Sequence, residues 1–158
     1  MMLAYRLLRL VETHSDALAA GLLQKTQNSP LLPGYRNVPP GELEQRVYEI
    51  YRHLADWLLG KSELDIEERY LEVGARRARQ GVPLSQLIWA IILTKRNLWD
   101  FLKQEAVLDW PVEIAGELEV EQLLDQFFDR AIYYAAVGYE RSLVSEVSEP
   151  ERKMSSVG

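Results

Sequence analysis

Residues 84–102, LSQLIWAIILTKRNLWDFL, decide the fold class. Leu84, Leu87, Ile88, Ile91, Leu98 and Leu102 recur at three- and four-residue intervals, the period of an α-helix, while Trp89, Ile92, Leu93 and Trp99 line a second side. So wide an apolar surface predicts a central, heavily buried helix from residue 83 or 84 to about 106, in which truncation of Trp89 is costly. The apolar run 87–93 is the longest in the chain, far short of the roughly 20 residues that cross a bilayer, and Lys95 and Arg96 follow it. No transmembrane helix is expected.

The same period continues outward in both directions. After a loop around Trp110 and Pro111, the residues Val120, Leu123, Leu124, Phe127, Phe128, Ala131, Tyr134, Ala135 and Gly138 trace one long stripe on a C-terminal helix. The tail, SEPERKMSSVG, is expected to be mobile. Upstream, Gly81 and Pro83 end a helix that starts at Ser62, where Asp65 three residues on completes a cap. Glu63, Asp65, Glu67 and Glu68 occupy its first turns and Arg76, Arg77 and Arg79 its last, the order the helix dipole favours. Before it, Leu43, Val47, Ile50, Leu54, Trp57 and Leu58 share a face of a helix over 41–59, stopped by Gly60. An ordered loop, 28–41, separates this from a first helix over 2–27 whose stripe is Leu3, Leu7, Val11, His14, Leu18 and Leu22. The expectation is an all-α chain, one five-helix bundle domain over 1–146 with long N- and C-terminal helices, and a flexible tail over 147–158.

Composition narrows the function classes. Hydrophobic residues at 47% and charged residues at 27% give a globular balance rather than a disordered one. The absence of cysteine excludes disulfides, thiolate nucleophiles and sulfur-based zinc sites, and fits a cytoplasmic setting. A net charge of −6 disfavours general attraction to nucleic acid. The N-terminal segment, in which Glu12, His14 and Asp16 follow Arg6 and Arg9, lacks the uninterrupted apolar core of a secretion signal.

Only His14 and His53 are available for acid–base, haem or metal chemistry. His14 lies on the expected apolar stripe and reads as a packed or interface side chain, with a haem ligand as the alternative. His53 follows Glu49 by four residues, but the duplicated Glu-x-x-His pairs of di-iron bundles do not occur. Neither histidine has the neighbours of a phosphotransfer motif. The basic residues Arg69, Arg76, Arg77, Arg79, Lys95 and Arg96 offer guanidinium forks for a phosphate or carboxylate, or ordinary ion pairs. Arg76 and Arg77 point in different directions on a helical turn and are not expected to line one cleft. No Gly-rich phosphate loop, nucleophile elbow or catalytic triad is present. Neither a cofactor, a catalytic metal nor an enzymatic activity is expected.

The stretch RRARQGVPLSQLIWA, residues 76–90, followed by KRNLWDFL, residues 95–102, resembles the N-terminal sensory domain of the RsbT co-antagonist family. Members act in bacterial stress-signalling complexes, and similar domains precede some histidine kinases. Arg77, Gly81, Val82, Pro83, Leu84, Ser85, Arg96, Leu98, Trp99 and Asp100 carry the likeness. The resemblance implies a haem-free, globin-like helical domain that dimerises and passes a signal to an attached output domain. This chain ends soon after its last helix, which leaves a stand-alone relative and an excised portion both open.

Sequence and resemblance together point to a non-catalytic sensory or regulatory module that acts through a homodimer and a signalling partner or output domain. A small-molecule or haem-binding carrier with a pocket beneath the 84–106 helix, and a histidine phosphotransfer module, are the alternatives. Tyr133, Val137 and Leu143 lie off the main stripe of the last helix and are the candidate dimer contact, together with the first helix.

Overall fold

The structure, a computed structural model, describes the backbone of residues 2–105 and 111–155 and the side chains of residues 4–105, 116 and 118–145. The expected loop at Trp110, the end of the 84–106 helix at Ala106, the Leu3 side chain and the final residues 156–158 lie outside those described. Six α-helices follow one another: α1 Met2–Thr13, α2 Ser15–Asn28, α3 Pro40–Arg52, α4 Glu63–Arg79, α5 Leu84–Glu105 and α6 Pro111–Ser155. A 3₁₀ turn, Pro33–Asn37, precedes α3, and a turn of π-helix, Asp56–Gly60, follows it. No strand occurs among the described residues, so the all-α expectation holds.

The long first helix is broken at His14. Three successive polar side chains turn back on the backbone there: Thr13 Oγ1 donates to the Arg9 carbonyl, His14 Nδ1 contacts the Leu10 carbonyl at 2.9 Å, and Ser15 Oγ donates to the Glu12 carbonyl. Such local bonds compete with the helical ladder and bend it. The buried stripe is correspondingly rotated from the expected one. It comprises Ala4, Leu8, Val11, Ser15, Ala19, Leu22 and Thr26, whereas His14 is exposed with its ring 5.2 Å from that of Phe101. Leu7 and Leu18 pack at its margin.

The helix expected over 41–59 stops at Arg52. The chain then crosses to the π-turn, where Lys61 donates its amide to the Asp56 carbonyl, and this places both Leu54 and Trp57 in the core. Ser62 and Asp65 form the reciprocal capping box at the start of α4, each side chain bonding the other's amide. The loop 28–41 is ordered around Leu32, Tyr35 and Val38, which with Val82 form a small satellite core under Trp89 and Leu93.

The centre of the bundle is α6, a correction to the central position expected of the 84–106 helix. At about 1.5 Å per residue its 45 residues extend nearly 70 Å, and it packs along α4 while also touching α1 and α5. Val120, Leu124, Phe127, Phe128, Ala131 and Ala135 are all buried on one side of it. Phe127 holds the middle, its ring between 5.1 and 6.1 Å from those of Phe128, Tyr70 and Trp57. On α5 only the stripe Leu87, Ile91, Leu98 and Leu102 reaches the main core with full burial. Trp89 is half-buried with Arg96 5.0 Å above its ring, so its truncation is less damaging than a central position implied. The backbone of 147–155 continues as α6, where the sequence reading placed a tail.

The closest helix crossing uses glycine. A Cβ on Gly74 would overlap the Ala135 carbonyl oxygen and stand 2.8 Å from the Tyr139 amide nitrogen; one on Gly138 would overlap the Leu71 carbonyl. Neither obstacle is a side chain that can swing away. Gly74→Ala is therefore expected to destabilise by about 3 kcal/mol, the upper end for overpacking. Gly21 faces open space in mid-helix, and Gly21→Ala is expected to stabilise by about 0.5–1 kcal/mol. Urea melts of the two variants against wild type check the pair of signs.

Candidate functional site

The turn between α4 and α5 is where most of the sequence motif comes together. Gly81 adopts φ +75°, a left-handed conformation in which its amide reaches the Ala78 carbonyl and that of Val82 reaches the Arg77 carbonyl. Val82 is fully buried, and its own carbonyl accepts the Tyr139 hydroxyl of α6 at 2.7 Å. Gln86 accepts the Gly34 amide at 2.7 Å, clamping the 3₁₀ turn onto the start of α5. Pro83 begins the entry to α5, Leu84 packs on the main core, and Ser85 is exposed.

This junction holds Arg77 in an almost wholly buried position, 3% exposed at its side chain. A buried guanidinium needs a counter-charge and hydrogen bonds. Glu42, in the first turn of α3, supplies both. Its carboxylate accepts from Arg77 Nη1 at 3.0 Å, from Arg76 Nε and Nη2, and from Gln80 Nε2, with Arg46 one turn along α3 at 3.8 Å. Arg76 and Arg77 thus converge on one carboxylate, contrary to the expectation from their separation around the helix. Long side chains reach a common acceptor from adjacent positions when it comes from a second helix. The Arg76 hydrogen bond, ahead of opposing burial and the contribution of Arg77, pulls the Glu42 carboxyl down to about 2.

Beside this cluster a cavity of about 70 Å³ opens between α3, α4 and α5, with Phe128 of α6 reaching it from below. Val47, Ile50, Tyr70, Leu87 and Ile91 make its walls apolar, and Arg46, Arg69 and Arg77 line it. The carboxylates that pair with these arginines are not among its lining residues. Arg46 forks onto Glu72 at 2.9 and 3.2 Å, and Arg69 stands 2.9 Å from Glu49 while donating to the Arg46 carbonyl. Tyr35 and Tyr70 add phenols whose burial pushes them up to about 12, against the opposing influence of Arg77 and Arg69 respectively. The arrangement can hold a small polar-ended molecule. It brings no carboxylate or histidine to the cavity wall for proton transfer.

The other sequence-selected residues lie elsewhere. Arg96 and Trp99 line a separate groove with Lys95, Glu121 and Asp125, where Lys95 pairs with Asp125 at 3.2 Å. Asp100 is exposed near Lys25 and Lys103. His14 and His53 are both exposed and neither lines the cavity. Tyr133 and Leu143 are exposed and Val137 is half-buried. Sequence reasoning missed Glu42, Arg46, Tyr35 and Gln80, although the Glu42/Arg46 pair at i,i+4 on the charged side of α3 was a visible signal. It also missed buried Asn97, which donates to the Leu18 carbonyl and the Tyr51 hydroxyl and accepts from Lys25.

Because the Glu42 carboxyl titrates lower in the folded chain than in the unfolded one, its contribution is complete above about pH 4.5 and is lost as pH falls towards 2. Glu42→Gln is expected to cost about 3 kcal/mol at pH 7 by leaving Arg77 without its counter-charge, and to flatten the acid limb of stability. Denaturant melts of both proteins from pH 7 to pH 2 check this; parallel acid limbs would contradict it.

No curated protein and no solved structure matched the chain. The model of one family, described as the RsbT co-antagonist protein rsbRD N-terminal domain, matches residues 16–152. That span takes in every helix from α2 to most of α6, the Gly81 turn and the buried Arg77. The chain belongs to the RsbT co-antagonist protein rsbRD N-terminal domain family.

Proposed function

We propose that this chain is a non-catalytic sensory or regulatory domain of stressosome-type signalling, cytoplasmic, acting as a homodimer that passes a packing change along α6 to a signalling partner or output domain. Membership of the family supports the regulatory reading. The observation that carries the dimer is the outer side of α6. While its inner stripe is fully buried, Tyr133 is 64% and Val144 68% exposed. Those two residues and Val137 stand at i, i+4 and i+11, within a narrow wedge of one helical face. Leu143 flanks them, and Tyr5 on neighbouring α1 adds a further exposed ring. Large aromatics left on a surface are favoured at the centres of protein contacts, where they bury area and keep a polar end.

A globin-like arrangement and signalling by dimer rearrangement follow from the same reading. In such a device a signal acts only through a difference in affinity between two packings. The helix that forms the core of each subunit would also form the contact between subunits.

Tyr133→Glu tests the interface, because at a two-fold contact the new charge meets its own copy as well as losing water. Wild type is expected to sediment as a dimer at tens of micromolar, and the variant to dissociate at least about tenfold more readily with its helicity unchanged, a difference of about 1.4 kcal/mol. A monomeric wild type, or a folded variant dimer of unchanged affinity, would contradict the proposal.

A further inference from the structure

We infer that the cavity between α3, α4 and α5 is a binding site for a short-chain monocarboxylate of roughly two to four carbons. The identity of the signal rests on the sensory reading above; the site itself rests on the cavity.

Three observations define the occupant. The first is charge. Arg46, Arg69 and Arg77 line the cavity, with side chains 25%, 21% and 3% exposed, whereas Glu49 and Glu72, the partners of Arg69 and Arg46, are 36% and 48% exposed and do not line it. Water screens those two carboxylates more than the guanidiniums, and the third, Glu42, is 15% exposed but shared between Arg76 and Arg77, which biases the cavity wall towards positive charge. With Arg76, which shares Glu42, four arginines stand against Glu42, Glu49 and Glu72, so a monoanion balances the cluster where a dianion such as phosphate leaves one excess negative charge.

The second observation is an unmet hydrogen bond. Arg69 Nε is buried without an acceptor among the described residues, and Glu49 Oε2, 2.9 Å from Arg69 Nη1, is buried without an aligned donor, so the ion pair leaves this guanidinium edge unsatisfied, a state that costs free energy unless a ligand or water relieves it. A carboxylate supplies an acceptor with the geometry of the guanidinium edge. The third is size. About 70 Å³ is half the roughly 150 Å³ of a cavity that takes benzene, so the apolar body must be smaller than that ring. Val47, Ile50, Leu87, Ile91 and Phe128 suit a short hydrocarbon and give nothing to a hydrated inorganic anion.

Calorimetric titration of the full chain with sodium butyrate tests the site, with butyramide and butanol as probes that keep the size and lose the charge, and inorganic phosphate as one that loses the apolar body. Butyrate is expected to bind saturably in the millimolar range and raise the melting temperature, with the other three at least about tenfold weaker. Arg69→Gln is expected to weaken butyrate about tenfold, and Arg79→Gln, away from the cavity, to leave it unchanged. A butyrate effect no larger than that of sodium chloride at equal ionic strength overturns the assignment, as does equal binding of butyramide. If Arg69→Gln does not fold, the ligand comparison on wild type decides alone. Tyr133 does not line the cavity. Loss of butyrate binding from an intact dimer therefore rejects this site and spares the dimer, and butyrate binding by a monomeric wild type does the reverse.

Discussion

The crossing of α4 over α6 at Gly74 and Gly138 is the constraint on which the other helices depend. Backbone lies directly against backbone there, with Ala135 and Leu71 carbonyls in the space where side chains would otherwise stand. Because α4 lies so close, the residues on its next face, Arg69, Tyr70, Val73 and Arg77, are carried towards α3 and α5 rather than towards solvent. Phe127 can then be enclosed by Trp57 and Tyr70. A wider separation would open the core along its longest contact. It would also remove the Tyr139 hydroxyl from the Val82 carbonyl that ties α6 to the α4–α5 turn.

Against that rigid seam stands a costly feature, the burial of Arg77. A methionine of similar length would fill the same space without desolvating a charge, and such replacements are often neutral or stabilising. What an apolar side chain would lose is the four-way convergence of Arg76, Arg77, Gln80 and Arg46 on Glu42, which joins the start of α3 to the end of α4. It would also lose the guanidinium 5.9 Å from the Tyr35 ring. Arg77 therefore serves as a joint between three segments far apart in sequence, and it supplies one of three cationic walls to the cavity.

The helical class and the α6 stripe were legible because periodicity is a local signal. Seven of the nine residues named for that stripe are buried, Gly138 among them, and only Leu123 and Tyr134 stop at half-burial. The Gly81 turn and the Ser62–Asp65 cap were equally local, each set by residues within five positions. What sequence could not reveal was anything settled by tertiary partners. The break at His14 has neither Gly nor Pro to mark it. Ser15 and Thr26 belong to the buried stripe despite their hydroxyls, because Ser15 bonds the Glu12 carbonyl at the end of α1 and Thr26 the Leu22 carbonyl of its own helix. The Glu42 site depends on residues 34 to 38 positions away, and spacing around a single helix gave the wrong answer for Arg76 and Arg77. The breadth of apolar surface on α5 was visible, but its second side is divided, Trp89 and Leu93 packing on the satellite core and Leu93 and Trp99 on the margin of the main one.

We propose that α6 couples the cavity to the subunit contact, since Phe128 reaches the cavity from the helix whose outer face carries Tyr133 and Val137. Side chains five to nine residues apart on one stiff helix cannot shift independently, so occupancy of the cavity and the strength of the subunit contact should be linked. Sedimentation equilibrium of the wild-type chain, titrated with sodium butyrate at constant ionic strength, reads that linkage directly. The dimer dissociation constant is expected to change about fivefold or more between empty and saturated protein, the lower end of typical coupling. Saturable butyrate binding with a dimer constant that does not move would contradict it.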